Sequence, residues 1–494
     1  MTLPDNGAPW PPPHMAPHYA EIARDDAWYS GDPRRLARHD HTAPRQEQER
    51  KRKWGRTAPP VPGRGRRLHV PLAGDIASTS ADLLCADMPA ITCEDTTTQD
   101  RLNVILDEGR VHSTLLAGAE YAAALSGVYL RTTWDRNLAP RPIPTVVQPD
   151  AAIPEWRWGV LTAVTFWREL PGSTTATVWR HLERHTVGHV EHGLYEGTPD
   201  NLGRSIPLTE HAETADLIAS LDPDGDGRTV NTDIPLLTAS YVPNIGTNRR
   251  HRGSPYGRSD YSSPLYDLFS GLDDTWTSWM RDIRLARARL IVPSGYLQDH
   301  GPGRGASFDD DQEIYAALNM PPNESGSGIT AEQFDIRVEQ HQGTAEAITR
   351  QAAQSAGYSA QSFGLDGGGQ PITATESDSR DQRSMVTRKK KVGYTRPAVA
   401  EQMHVALMLD NAHFDGSNDI STRPRVDFGD GVAESEQATA TVLDLLSRAG
   451  AVSTATKVKI RNPTWDDADI AAEAVAILRE TGAAAPDPGS TYPM

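Results

Sequence analysis

The stretch from Ser263 to Leu290 constrains this chain more than any other. Ser263 carries the short polar side chain that satisfies free N–H groups at a helix start, and Pro264 fits the first helical position. Leu265, Leu268, Phe269, Leu272, Trp276, Trp279, Met280, Ile283 and Leu290 then recur at helical spacing. Arg281, Arg284 and Arg287 step by three on another side. The spacing predicts a helix over 263–290, a rod of about 40 Å at 1.5 Å per residue. Such a stripe needs cover along its length, and the rod is too charged to span a membrane.

A second long helix is predicted over 331–357, where Phe334, Val338, Ala345, Ile348 and Ala352 form a stripe. Residues 291–330 between the two are rich in Gly and Pro and include the acidic run Asp309, Asp310 and Asp311. A Gly-rich loop, GYSAQSFGLDGGGQPITATE, comes next, and its Gly367, Gly368 and Gly369 allow backbone shapes closed to other residues. It leads into a charged helix with Arg380, Arg383, Arg388, Lys389, Lys390 and Lys391. Pro397 is expected to break or kink the chain ahead of the apolar stretch 403–409. Amphipathic helices over about 434–449 and 466–481, stopped by Gly450 and Gly482, are expected to close the chain.

Upstream, residues 101–130 repeat apolar residues at helical spacing, with Leu115, Ala119, Ala122 and Ala123 on one face. Gly127 ends that helix and Val128 starts a strand. From Glu155 to about Leu208 the period becomes two, with Trp156, Trp158, Val160, Thr162, Val164 and Phe166 alternating with other residues. The pattern predicts an antiparallel meander with turns at Pro171-Gly172 and 198–201. From His69 to Cys85 a short extended piece and an Ala/Leu-rich helix are expected. Residues 1–68 form a Pro-rich, then basic arm, running from Arg34 and Arg35 to Arg66 and Arg67 with Trp10, Trp28 and Trp54 scattered through it. The arm is expected to pack across a neighbouring subunit, with contact to nucleic acid or an acidic partner as the sharper alternative.

These segments make an α+β fold, mainly α, without a repeat. The chain has 494 residues, more than one core usually organises, yet its apolar share is only 37%. Elongated modules that bury polar surface against copies of themselves fit both numbers. The net charge of −17 argues against a sequence-specific nucleic-acid binder and leaves room for a protein past which DNA slides. Cys85 and Cys93 have neither metal-site spacing nor the makings of a disulfide framework, so a reducing cytoplasm is the expected place of assembly. With no apolar run of about 18 residues and no basic-then-apolar start, a soluble, non-secreted chain is expected.

Several motifs suggest chemistry. Asp222, Asp224 and Asp226, with Asp233 at the twelfth position, match the carboxylate spacing of a calcium loop. Pro235 close behind, Thr229 at the eighth position and Asp for Glu at the twelfth favour an acidic surface turn instead. His181, Glu183 and His185 share one face of a strand and could meet zinc, but with His189 and His192 nearby they read as the solvent side of a half-buried sheet. Gly301, Gly303 and Gly305 lack the Lys-Ser/Thr ending of a phosphate loop and read as linker. Lys389, Lys390 and Lys391 read as a solvated helix face, with DNA contact as the alternative. No cofactor or enzymatic activity is expected. The rival from another class is a metal-dependent hydrolase using the loop 222–233.

Ordered landmarks run through the chain: SADLLCADMP at 80–89, GVYLRTTWD at 127–135 and GRSDYSSPLYDLFSGLDDTWTSWMRDIRLARARLIVP at 257–293. GYSAQSFGL comes at 357–365, TATE at 373–376 and NPTWDDADIAAE at 462–473. From about residue 69 the ordered set resembles the portal proteins of siphoviruses infecting actinobacteria. The resemblance implies a portal fold with wing, stem, clip and crown. The wing would take 69–262, the first stem helix 263–290, the clip 291–330 and the second stem helix 331–357. The tunnel loop and long wing helix would take 358–432 and the crown 433–494. Another phage head structural protein is the alternative within the same class.

The resemblance also implies a ring at one capsid vertex of the virion, through which double-stranded DNA passes non-specifically during packaging and ejection. The ring would be a homo-oligomer of twelve subunits, meeting the terminase large subunit, the head–tail connector or adaptor, and the major capsid or scaffolding protein. Gly364, Asp366, Gly367, Gly368, Gly369 and Gln370 would form the tunnel loop. Arg281, Arg284, Arg287, Lys389, Lys390 and Lys391 would be channel or intersubunit cations, and Trp276, Trp279 and Met280 would pack between subunits. Twelve copies at −17 each would carry roughly −200 formal charges, a field that discourages phosphate binding.

Overall fold

The computed structural model describes residues 2–39, 67–221, 227–262, 264–286, 289–291, 298–299, 306–307, 330–332, 335–365, 374–414, 416–429, 443–462 and 467–481. They fall into two units, Met1–Gly429 and Asp430–Met494. The first unit opens with α1 (Ala16–Ser30) and α2 (Pro33–His39), followed by α3 (Leu72–Leu84) and a short strand, β1 (Ala90–Thr92). The single helix expected from residue 101 is two helices, α4 (Thr96–Glu108) and α5 (Val111–Leu125). Asp95 starts α4 by accepting from the Thr98 N–H at 2.8 Å. Gly109 ends it, where a Cβ would lie 2.2 Å from the Ile105 carbonyl oxygen, and Arg110 turns the chain at φ +50°.

The strand expected after Gly127 is β2 (Gly127–Thr133), which pairs antiparallel with β3 (Ile143–Val147). The expected meander comes next as β4 (Ala152–Arg157), β5 (Val160–Glu169), β6 (Val178–Thr186), β7 (His189–Thr198) and β8 (Asn201–Ile206), antiparallel in that order. Trp158 and Gly159, both at positive φ, make the first turn, so the alternation from Trp156 to Phe166 belongs to two strands rather than one. A one-turn helix, α6 (Ala212–Ala215), precedes β9 (Thr229–Asn231), which also pairs with β7. β10 (Ala239–Pro243) returns to β2 and completes a second sheet in the order β10-β2-β3.

Both faces of β6 are covered, which corrects the expectation that one of them is a solvent side. His181, Glu183 and His185 do not face solvent. His185 is fully buried between Glu183 (2.8 Å) and Thr238 (2.6 Å), and Glu183 takes a 2.7 Å bond from Arg131 on β2. The second sheet supplies that cover. On the opposite face Leu182 packs with Leu3, Trp10 and Met15. The N-terminal residues therefore dock on their own chain, with Trp10 N–H donating to Asp200 O at 2.9 Å and Tyr195 Oη to Pro4 O at 2.8 Å. Of the expected arm, residues 40–66 lie outside the described residues.

The first long helix is α7 (Pro264–Leu285), shorter than expected; Ser263, its expected cap, lies outside the described residues. Past it the chain is extended in β11 (Arg289–Ile291). The two-residue strands β12 (Gln298–Asp299) and β13 (Ala306–Ser307) pair with each other, and β14 (Thr330–Glu332) pairs antiparallel with β11. The second long helix accordingly starts at Val338, as α8 (Val338–Ala356). α9 (Ala374–His413) runs for 40 residues, about 60 Å. The break expected at Pro397 does not occur, and buried Val392, Ala398, Val399 and Met403 anchor the helix on both sides of it. β15 (Arg425–Asp427) pairs with β1 and closes the unit. In the second unit, residues 443–448 are helical, and α10 (Thr454–Arg461) and α11 (Asp467–Glu480) pack through Val458, Ile470 and Ala474. α10 has no counterpart among the expected helices, while the one at 466–481 is present; residues 434–442 lie outside the described residues.

Two apolar clusters hold the first unit. One joins α4, α5, β2 and α9 through Leu102, Ile105, Leu115, Val128, Val399 and Leu407. The other joins α1, α3, α7 and α8 through Trp28, Ile76, Phe269, Leu272, Ala345 and Ala352. Trp28 is the largest side chain in the second, stacked on Tyr266 (6.3 Å between ring centres) and tilted against Phe269 (5.5 Å). Trp28→Ala should cost about 3–5 kcal/mol, read as a lowered denaturant midpoint in equilibrium unfolding. An unchanged midpoint would mean that α1 is not part of the cooperative core.

Candidate functional site: the helix pair, the long helix and their buried hub

α7 and α8 lie against each other as a hairpin. Small residues Ala345, Ala352 and Ala356 on α8 let it approach the Leu265, Phe269 and Leu272 stripe. The stripe is thus largely used within the chain. Trp276, Trp279 and Met280 are half-buried: the two indoles lie 5.1 Å apart and Trp279 stacks on His341 of α8 at 5.9 Å. Near the end of α7, Asp282 accepts from Arg337 at 2.8 Å and faces His341 at 3.0 Å. The His341 and Arg337 contacts hold its carboxyl below the usual range. Arg281 and Arg284 are exposed, and Arg287 lies outside the described residues.

The base of the hairpin is tied to α9 by a charge that has no access to water. Asp260, in the loop before α7, is fully buried. Its Oδ2 accepts from Lys391 Nζ and from Tyr358 Oη, each at 2.7 Å, and its Oδ1 accepts from Asn244 Nδ2 at 2.9 Å. Lys391 Nζ also donates to Ser80 on α3, and the Asp260 N–H donates to Ala123 O on α5 at 2.9 Å. Burial pulls the lysine's pKa below its ordinary value, and Asp260 opposes that shift. Lys391 is therefore not part of a solvated face or a channel cation of the subunit. Arg388, one turn earlier, is also buried, bonding the Leu83, Phe428 and Gly429 carbonyls at 2.7, 2.6 and 3.1 Å. Lys389 and Lys390 between them are exposed. At the far end of α9, Arg101 and Asn418 converge on buried Asp410.

Other expected site residues are dispersed. Gly364 closes a short turn at φ +70°, while Asp366, Gly367, Gly368, Gly369 and Gln370 lie outside the described residues. So do Asp222, Asp224 and Asp226; Asp233 stands at φ +55°. Among the described residues no group of three or more His, Cys, Asp or Glu side chains could hold a metal ion, and no helix is long and apolar enough to cross a membrane. Sequence reasoning passed over Asp260. Its only signal was an acid ahead of the helix in the landmark GRSDYSSPLYDLF, without spacing to its partners.

Removing one side of the hub strands the other. Asp260→Leu should leave Lys391 buried without a counter-charge and cost about 3–5 kcal/mol, whereas pairing it with Lys391→Met should recover part of the loss. Additive losses in denaturant unfolding would show that the two groups act independently. A second buried acid gives a pH test. Asp25 on α1 accepts from Tyr266 Oη on α7, and burial pushes its carboxyl up to about 8 from 3.8. The fold favours the protonated form, so this stabilisation is complete below about pH 4 and is lost as pH rises through about 8. Asp25→Asn cannot ionise, so it should gain stability relative to the parent as pH rises from about 4 to about 8 in thermal melts. A difference independent of pH would refute the assignment.

The family described as "Phage portal protein, SPP1 Gp6-like" matches residues 13–487. No curated protein matches the chain. Among solved structures, the chain is similar to one in the neck of an empty GTA particle computed with C6 symmetry, at 14% identity and a TM-score of 0.41, covering 79% of this chain and 89% of that one. It is also similar to one in the neck of a native GTA particle computed with C12 symmetry, at 12% identity and a TM-score of 0.38, with 79% and 89% covered. The family match runs through the sheets, the helix pair, α9 and the C-terminal helices, and the chain belongs to the phage portal protein family.

Proposed function

We propose that copies of this chain close into a ring, of twelve subunits, at one vertex of a phage capsid. DNA enters during packaging and leaves during ejection through its centre. The family match over residues 13–487 carries this reading. The α7–α8 hairpin serves as the stem and 291–330 as the clip, where the terminase large subunit and later the head–tail connector dock. The loop at 364–371 lies at the constriction, α9 crosses the wing and 433–494 forms the crown. The wing or crown meets the major capsid or scaffolding protein. The chain is structural rather than enzymatic, and the energy for packaging comes from the terminase.

The side chains supply what such a subunit needs. The hairpin is clamped at one end by Asp282 with Arg337 and at the other by the Asp260 hub, so it can act as a stiff rod. Arg281, Arg284, Lys389 and Lys390 are exposed and can meet a neighbouring subunit or passing DNA. The half-buried Trp276, Trp279 and Met280 retain some surface for subunit packing. Negative-stain images of purified chain, with mass photometry, test the reading. Closed rings with a central hole are expected, whereas only monomers or open filaments would sink it.

A further inference from the structure

A recess of about 260 Å³ opens where α1 meets the loop between β10 and α7, and Glu21, Asp25, Arg249, Arg250 and Arg258 are among the residues lining it. Arg258 stands on a fixed backbone: its N–H donates to Ile245 O at 3.1 Å and its carbonyl accepts from Asn244 Nδ2 at 3.1 Å. Its Nε is buried without a hydrogen bond, and among the described residues its guanidinium has no carboxylate within ion-pair distance. The acid two residues on, Asp260, is already filled by Lys391, Tyr358 and Asn244. Arg249 makes no ion pair among the described residues either, and burial and the repulsion from Arg249 lower the pKa of Arg258 while Asp260 opposes the shift.

The acids of the recess do not balance these charges. Glu21 is taken by Arg250 at 2.9 Å and His251 at 2.8 Å. Asp25 is bound by Tyr266, and burial pushes its carboxyl up to about 8. Three guanidiniums therefore line the recess with two carboxyl groups, and neither acid is within ion-pair distance of Arg249 or Arg258. His18, also in the lining, stacks on Tyr256 at 4.0 Å with its Nε2 buried and unpartnered; burial lowers its pKa to about 4. It can offer a donor without adding charge.

We propose that this recess binds a small tetrahedral oxyanion of the phosphate class, with Arg249 and Arg258 as charged donors and His18 as a neutral one. A planar guanidinium bonds two oxygens of such an ion at once, and a partly desolvated site strengthens each bond. The recess is too small for a DNA duplex. Its occupant is either free phosphate or the terminal phosphate monoester of a nucleic acid.

Isothermal titration of the full chain with inorganic phosphate, against sodium chloride at matched ionic strength, tests this. Saturable binding is expected. Arg249→Gln, at an exposed position, should weaken it by about tenfold, the loss of one charge-assisted hydrogen bond, without shifting the phosphate-free melting temperature. Arg258→Lys keeps the charge but removes the planar fork, and should weaken binding as well. No saturable binding beyond the chloride control, or binding that both variants leave unchanged, overturns the proposal. Competition by a short duplex bearing a terminal phosphate, but not by the same duplex without it, supports the site and assigns it to nucleic-acid ends. Failure of both duplexes to compete supports the site and assigns it to free phosphate.

Discussion

Asp260 carries a charge that the fold has to neutralise, and separate elements converge to do it. An ionised carboxylate without water is tolerated only when it is paired and its lone pairs are filled. Lys391 of α9 brings the counter-charge, while Tyr358 after α8 and Asn244 after β10 bring the remaining donors. An apolar replacement of similar volume could match the stability of such a pair, so its value lies in geometry. The donors reach one carboxylate only when α7 starts, α8 ends and α9 crosses at the same place.

The apolar clusters supply the bulk of the driving force around that point and are less demanding about register. Trp28 brings α1 against the first turns of α7, and Ala345, Ala352 and Ala356 let α8 settle on the same stripe. α9 is held independently at its other end by Arg101 and Asn418 on Asp410. A helix fixed at two polar points and buried along an apolar face tolerates Pro397. The one backbone hydrogen bond lost there is outweighed by Val392, Ala398, Val399 and Met403 staying packed.

Periodicity made the meander and the helix pair legible in the sequence, because burial on one face leaves a period that survives without any partner in view, whereas α9 showed only as a charged helix expected to break or kink at Pro397. Periodicity could not say which face of β6 is buried. His181, Glu183 and His185 look like surface residues until Arg131 and Thr238 arrive from another sheet, and Leu182 on the other face waits for Trp10. Helix ends were misjudged for a related reason. Leu290 continues the α7 stripe in spacing, but pairing of Arg289–Ile291 with Thr330–Glu332 takes it into a strand. The hub left no periodic trace, since Asp260 and Lys391 are 131 residues apart and neither belongs to an apolar stripe. Lysine in a run of three reads as solvated by default, and only the turn of α9 separates buried Lys391 from exposed Lys389 and Lys390.

That separation bears on how an acidic chain can handle DNA. With a net charge of −17, copies of this chain repel a polyanion, and exposed cations act only locally, since charges are screened beyond about 8 Å at physiological ionic strength. Folding commits Lys391 and Arg388 inward and leaves Lys389 and Lys390 outward, so one basic stretch both stiffens the subunit and keeps two cations on its surface. If DNA passes them, Lys389 and Lys390 against such a repulsive background would make contacts that form and break quickly. In a ring, the inward charges would set the stiffness of the wall, and the outward ones its friction against the duplex.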